Sequence, residues 1–206
     1  MKAVIYHADS PKLVNKIPAG MYKKLTLDLK KNLNQFGIPL IHLTLNGFEG
    51  WGDENFFFNG DPENIILNRE KTFVEFLKNA QQEEHYWFIE PDTRLMNIFP
   101  DLDCDLALLY RNDPIHISPA WRLAKKTALP FFEEILECFN YDYKDWHGDS
   151  WAFCTVWEKM NKPGIDKLHY NGMDIELRDI KDYGKRRSRY STQWKGQSKM
   201  KLLGDI

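Results

Sequence analysis

Three short runs of this chain hold the residues best suited to chemistry. In HYWFIEPDTRLMN, residues 85–97, an apolar stretch from Tyr86 to Ile89 ends on Glu90-Pro91-Asp92. Proline fixes an extended bend and removes a backbone donor, so the two carboxylates are turned to the same general edge instead of alternating. Such a pair of hard oxygen donors suits Mg2+ or Mn2+, which one or two carboxylates usually hold together with substrate phosphates. The same tripeptide also reads as a solvated acidic turn that ends a strand. In DWHGDSWAF, residues 145–153, His147 and Asp149 flank Gly148. The small residue lets a substrate approach, and an acid at an element's start is placed to accept a hydroxyl proton. Asp149, with His147 beside it, is the candidate base; Asp149 or Ser150 reads equally as the N-cap of the helix SWAFCTVWEKM.

The third run is KDYGKRRSRYSTQWKGQSKMK, residues 181–201. It sets Lys181, Lys185, Arg186, Arg187, Arg189, Lys195, Lys199 and Lys201 against the single acid Asp182, with Tyr183, Tyr190 and Trp194 interleaved. That composition suits a nucleic-acid backbone with rings stacked on bases, or a diphosphate. It also suits a solubilising terminus, although a Trp beside Lys-Gly-x-x-Lys suggests a packed turn presenting two cations to one anion.

The elements that must position these residues follow from apolar periodicity. Ala3 to Tyr6 reads as a buried strand running into a polar loop that holds Asp9. Leu25, Leu29 and Leu33 recur at helical spacing, with Gly37 where a C-terminal glycine belongs. Ile38 to Leu45 is the next strand, and a strand-helix-strand unit is normally a right-handed crossover between parallel strands. Phe56-Phe57-Phe58 reads as a short strand between loops, and NREKTFVEFLKNA as a helix capped by Asn68. Tyr86 to Ile89 and Asp105 to Tyr110 read as strands. SPAWRLAKKTALPFFEEILECF carries helix signals on both sides of Pro130, which kinks or divides it. The sum is an α/β fold, in which ligands gather beyond the carboxyl ends of the strands, placing Asp9, Glu90 and Asp92 there.

Composition narrows the classes. A chain of 206 residues, 43% hydrophobic, closes a core as one domain, and no second full domain is indicated. The net charge of -2 excludes polyanion binding by bulk electrostatics and leaves any such role to the local basic run. The many aromatic rings read as core or as stacking surface. Cys104, Cys138 and Cys154 are far apart and form no CxxC pair, which argues against a disulfide framework and a thiolate zinc site, and for a reducing cytoplasm. They read as small buried residues. No stretch approaches the ~20 apolar residues of a membrane span, and the apolar run of MKAVIYHADS is too short for a signal sequence. His42 reads as a core histidine; His7, His116 and His169 have no partner at ligand spacing.

The order of these features resembles that of the GT-A nucleotide-diphospho-sugar transferases along nearly the whole chain: an N-terminal strand and polar loop, a helix bearing Arg69, an apolar strand ending in a carboxylate motif, a later Gly-Asp before a helix, and a closing Lys-Gly-x-x-Lys. In that family a D-x-D motif binds the metal that bridges the donor diphosphate; Glu90-Pro91-Asp92 stands in its place. The family's G-D-Q element is matched by Gly148-Asp149-Ser150, with Ser for Gln. Its closing His-x-Gly-x-x-Lys is matched by Trp194-Lys195-Gly196-Gln197-Ser198-Lys199, without the histidine.

The resemblance implies a single GT-A-like, Rossmann-like catalytic domain over residues 1–180, with a mostly parallel sheet flanked by helices. Residues 181–206 would close over the diphosphate or contact the acceptor. It implies a nucleotide-diphosphate sugar as donor, held by Asp9, Arg69, Lys195, Gly196 and Lys199, and Mn2+ or Mg2+ at Glu90 and Asp92. Asp149 and His147 would be the catalytic residues. In size and in lacking an anchor the chain is also similar to small phage-encoded transferases, which implies DNA carrying a hydroxymethyl pyrimidine as acceptor, in the host cytoplasm and with no membrane partner. A metal-dependent phosphoesterase or nuclease would use the same acids on water, and a non-catalytic nucleic-acid-binding module would need only the basic tail. A sugar-nucleotide pyrophosphorylase is disfavoured, because AVIYHADSPK has no glycine.

Overall fold

Adjacent residues of several strands, such as Val4 and Ile5 or Leu108 and Leu109, are both buried, as in a sheet covered on its two faces. The computed structural model describes residues 1–8, 20–47, 49–61, 64–100, 102–112, 115–139, 148–160, 167–183 and 188–193. The strands among them are β1 (Lys2–Ala8), β2 (Leu40–Leu45), β3 (Glu54–Phe58), β4 (Tyr86–Ile89), β5 (Thr93–Leu95), β6 (Leu106–Asn112), β7 (Ile115–Ala124), β8 (Lys167–Tyr170), β9 (Met173–Asp179) and β10 (Ser191–Gln193). Eight of these described strands form one sheet in the order β3-β2-β1-β4-β7-β6-β9-β8. The β1–β2, β1–β4, β2–β3 and β6–β9 pairs are parallel, and β4–β7, β6–β7 and β8–β9 are antiparallel. The parallel β1–β2 crossover expected from the first strand-helix-strand unit is therefore present. β5 and β10 make a separate antiparallel ribbon.

Helices α1 (Met21–Asn34), α2 (Ile65–Lys78), α3 (Leu129–Cys138), α4 (Gly148–Lys159) and α5 (Ile180–Tyr183), with a 3-10 turn at Lys126–Ala128, complete the described elements. Leu29 and Leu33 of α1 pack with Ile5, Trp87, Ile89, Trp121 and Leu123 on one face. On the other, Phe73 and Phe76 of α2, Phe131 and Phe132 of α3 and Phe153 of α4 cover Val4, Phe88 and Leu108. Full burial of each such side chain contributes about 1.5–3 kcal/mol. Strand alternation thus decides which layer each residue joins: Phe88 faces α2 and α3, and its neighbour Trp87 faces α1.

The end of α1 shows local sequence at work. Gly37 takes φ +68°, its N–H donates to the Asn34 carbonyl at 3.2 Å, and the Ile38 N–H donates to Leu33 at 3.2 Å. This is the 6→1 and 5→2 pattern of a Schellman ending, closed by Ile38 and Leu33 in the same core.

Three expectations are corrected. Asn68 does not cap α2, which starts at Ile65; it is buried inside the helix, where its amide donates to the Asp61 carbonyl. Residues 118–124, expected to be helical, belong to strand β7, because Trp121 and Leu123 alternate with Arg122 and Ala124 between two dry layers. Pro130 divides nothing: it occupies the first turn of α3, where no intrahelical donor is lost.

Candidate functional site

The apolar run of β4 stops because the backbone turns there. The Thr93 N–H donates to the Glu90 carbonyl at 3.0 Å, closing a tight turn over Pro91. Arg94 clips that turn, donating from Nη1 to the carbonyls of Pro91 (3.0 Å) and Thr93 (2.6 Å) while Nη2 binds Asp28 of α1. Glu90 is thereby left at the carboxyl end of β4 with its side chain toward α2. Asp92, 1% exposed, is enclosed by the turn.

Arg69 of α2 is the centre of the site. Its Nη2 binds Asp149 Oδ2 in the first turn of α4, its Nε donates to Glu70 Oε1 at 3.1 Å, and its Nη1 stands 3.8 Å from Glu90 Oε1. Behind it, Arg122 of β7 forms a bidentate pair with Glu70, Nη1 to Oε2 at 2.8 Å and Nη2 to Oε1 at 2.9 Å. Burial acts to lower the Arg69 guanidinium, but Asp149, Glu70 and Glu90 overcome it and hold its pKa above the ordinary arginine value. Burial pushes the Asp149 carboxyl up, opposed by Arg69, and one of its oxygens accepts the Ser150 N–H at 2.6 Å. Asp149 therefore lies inside the first turn of α4 rather than before it, and is 3% exposed.

Tyr22 of α1 belongs to this site and was not singled out in the sequence. Burial raises its phenol pKa, with Glu90 and Asp92 adding and Arg69 opposing, so it faces the same charges. Beside it lies a ring cluster built on β1 and β2. His7 is 5.4 Å from Tyr22 and 4.8 Å from Trp51, and Trp51 stacks on His42 at 4.8 Å. His42 is buried as expected and accepts the Trp51 N–H through Nδ1 at 3.1 Å. Only the spacing of His7 and His42 on adjacent parallel strands could have signalled it, and that needs the register.

Arg69, Glu90 and Asp149 are thus brought together, with Asp92 one turn away. Asp9, His147, Lys195, Gly196 and Lys199 lie outside the described residues. The described part of the tail is pinned: β10 pairs with β5, setting Gln193 opposite Thr93, one residue from Asp92. Among the described residues no group of three His, Cys, Asp or Glu side chains stands together as metal ligands. Glu90, whose side chain is 34% exposed, and Asp92 supply two hard oxygen donors. That set fits an ion completed by a substrate's phosphates, not one caged by protein alone. Cys104 is buried as expected, whereas Cys138 and Cys154 are half-buried. Among the described residues no helix is long and apolar enough to cross a membrane.

No protein-family model matches the chain, and no curated protein matches it in sequence. Solved structures do match its fold. A glycosyltransferase involved in the glycosylation of the major capsid of PBCV-1 superposes with a TM-score of 0.59 at 10% identity, over 98% of this chain and 99% of that one. An active-site mutant of LgtC gives 0.54 at 10% identity, over 89% and 74%. The inositol-1-phosphate CTP transferase from T. maritima gives 0.52 at 9% identity, over 98% and 93%. The fold is α/β and GT-A-like, a mostly parallel central sheet flanked by helices.

Proposed function

We propose that the chain is a glycosyltransferase that moves a sugar from a nucleotide-diphosphate sugar to an acceptor hydroxyl. The observation that carries this reading is the convergence of Glu90, Arg69 and Asp149, from three separate elements, at the carboxyl end of β4, where open α/β sheets bind ligands. The GT-A-like fold supports it, since a glycosyltransferase is among its structural neighbours.

In this reading the donor lies across the ends of β1 and β4. Its base stacks against the His7, Trp51 and Tyr22 cluster, its ribose meets Asp9, and Arg69 contacts the donor. The acceptor oxygen attacks the anomeric carbon as the bond to the diphosphate breaks, and Asp149 takes the acceptor's proton, with His147 alongside. Burial raises the proton affinity of the Asp149 carboxylate, as a base needs, and Arg69 opposes that rise. Mn2+ or Mg2+, held by Glu90 and Asp92 with the donor's own phosphates, would neutralise charge on the departing nucleoside diphosphate. β10 sets Gln193 opposite Thr93, and in this reading residues 181–206, with Lys195, Gly196 and Lys199, serve the same diphosphate or the acceptor. A hydroxymethyl pyrimidine in DNA suits that basic, aromatic segment. A protein acceptor is the second case, since the PBCV-1 neighbour is involved in glycosylation of a capsid.

The test is calorimetric titration with UDP- and GDP-sugars, with and without Mn2+, followed by turnover with modified DNA and with protein acceptors. Binding that Asp92→Ala weakens, and a kcat that Asp149→Asn lowers by about 10²-fold or more, are the expected results. Folded wild type that binds and hydrolyses no nucleotide sugar would sink the reading and favour a nucleic-acid-binding module, for which loss of residues 181–201 alone would abolish binding.

A further inference from the structure

We infer that the buried pair Glu70–Arg122 is a positioning device: it holds the Arg69 guanidinium, and through it Asp149, in one orientation. The inference rests on the transferase reading for its substrate but not for its geometry.

Glu70 and Arg122 are 1% and 0% exposed, a fully buried charge pair beside the site. Stability alone does not account for them, because a buried ion pair is often no better than apolar residues of similar volume. What an apolar pair would lack is an acceptor for Arg69. Glu70 Oε1 receives both Arg122 Nη2 and Arg69 Nε, so one oxygen links the core arginine to the site arginine. Arg69 is then gripped at Nε on one edge and by Asp149 at Nη2 on the other. A planar fork held at two edges has little rotation left, and only Nη1, toward half-exposed Glu90 at 3.8 Å, points to the open side.

Arg122 is itself immobilised. Its guanidinium lies 4.6 Å from the Phe73 ring, 5.0 Å from Phe153, 5.6 Å from Phe132 and 5.9 Å from Phe88. Those four rings come from α2, α4, α3 and β4, so the packing of three helices on the sheet sets where Arg122 stands. The alternating chain Arg122, Glu70, Arg69, Asp149 transmits that placement to the site, which is how a reacting geometry is preorganised.

The experiment compares wild type with the charge-free, volume-matched variant Glu70→Leu/Arg122→Met. Thermal unfolding, NMR hydrogen exchange of the Arg69 Nε–H, and the Kd for a nucleotide sugar are measured. The variant is expected to fold, to exchange the Arg69 Nε–H at least tenfold faster, and to bind donor at least tenfold more weakly. A folded variant with wild-type exchange and wild-type Kd overturns the inference. Should the double variant not fold, Glu70→Gln, which keeps one acceptor oxygen, gives the same readouts; faster exchange and weaker binding support the inference and unchanged values overturn it. Wild type that binds no nucleotide sugar overturns the transferase reading instead, and the Arg69 exchange rate then decides the positioning by itself.

Discussion

Trp121 and Arg122 are neighbours on β7 and equally hidden, at 3% and 0% exposure, yet they enter two different interiors. Trp121 joins an aromatic layer under α1, 5.8 Å from Phe99 and 5.3 Å from Tyr183. Arg122 enters the opposite layer, also walled by rings, but there it pairs with Glu70 at 2.8 Å. The aromatic layer asks only for shape, so its members depend on one another in small, spread-out amounts. The layer with the ion pair asks for a specific partner, and losing one member leaves the other charged and stranded. A sheet of this kind can therefore keep one face for stability and use the other to anchor a site.

The largest effect should separate the two layers. Arg122→Met alone is expected to cost about 3–5 kcal/mol in chemical denaturation, and adding Glu70→Leu should recover most of it. Trp121→Ala should cost a similar ~3–5 kcal/mol with no second substitution that restores it and no change in donor affinity. Equal rescue at both positions would erase the distinction.

A smaller effect concerns a buried titratable group on the α1 side. Burial, with His7 adding, lowers His42 from 6.5 to about 4. Between those values the unfolded chain binds a proton that the folded one does not, so stability falls as pH drops from 6.5 towards 4, by roughly 2–3 kcal/mol. His42→Gln should flatten that part of a stability-pH profile. A profile with the same slope in wild type and variant would mean that His42 does not cause it.

The smallest effect is at the sheet's rim. Phe57, 54% exposed on edge strand β3, belongs to neither layer. Phe57→Ser should change stability by less than about 0.5 kcal/mol and reduce self-association of the exposed edge in light scattering.

How much of this was legible follows residue by residue. β1 and β4 could be read because their apolar runs are continuous, β2 because Leu40, Ile41, Leu43 and Leu45 keep it apolar around His42 and Thr44, and α1 because Leu25, Leu29 and Leu33 keep helical spacing up to Gly37. β7 could not, since His116, Ser118, Pro119 and Arg122 break the run expected of a buried strand. Arg69, Glu90 and Asp149 were picked out by residue type and order, but that they touch was not visible. Glu70, next to Arg69, gave no signal at all, because its partner is 52 residues away.

Local physics was written in the sequence itself: which segments extend or coil, where Pro91 turns the chain, and where glycine ends a helix, since these depend on residues within one or two turns of each other. Only the tertiary structure decided that Arg122 faces Glu70 while Trp121 faces away, that Tyr22 stands near Glu90, and that β10 returns beside Asp92. Those relations depend on strand order and pairing register. Each joins residues far apart in the chain, so no local pattern can encode them.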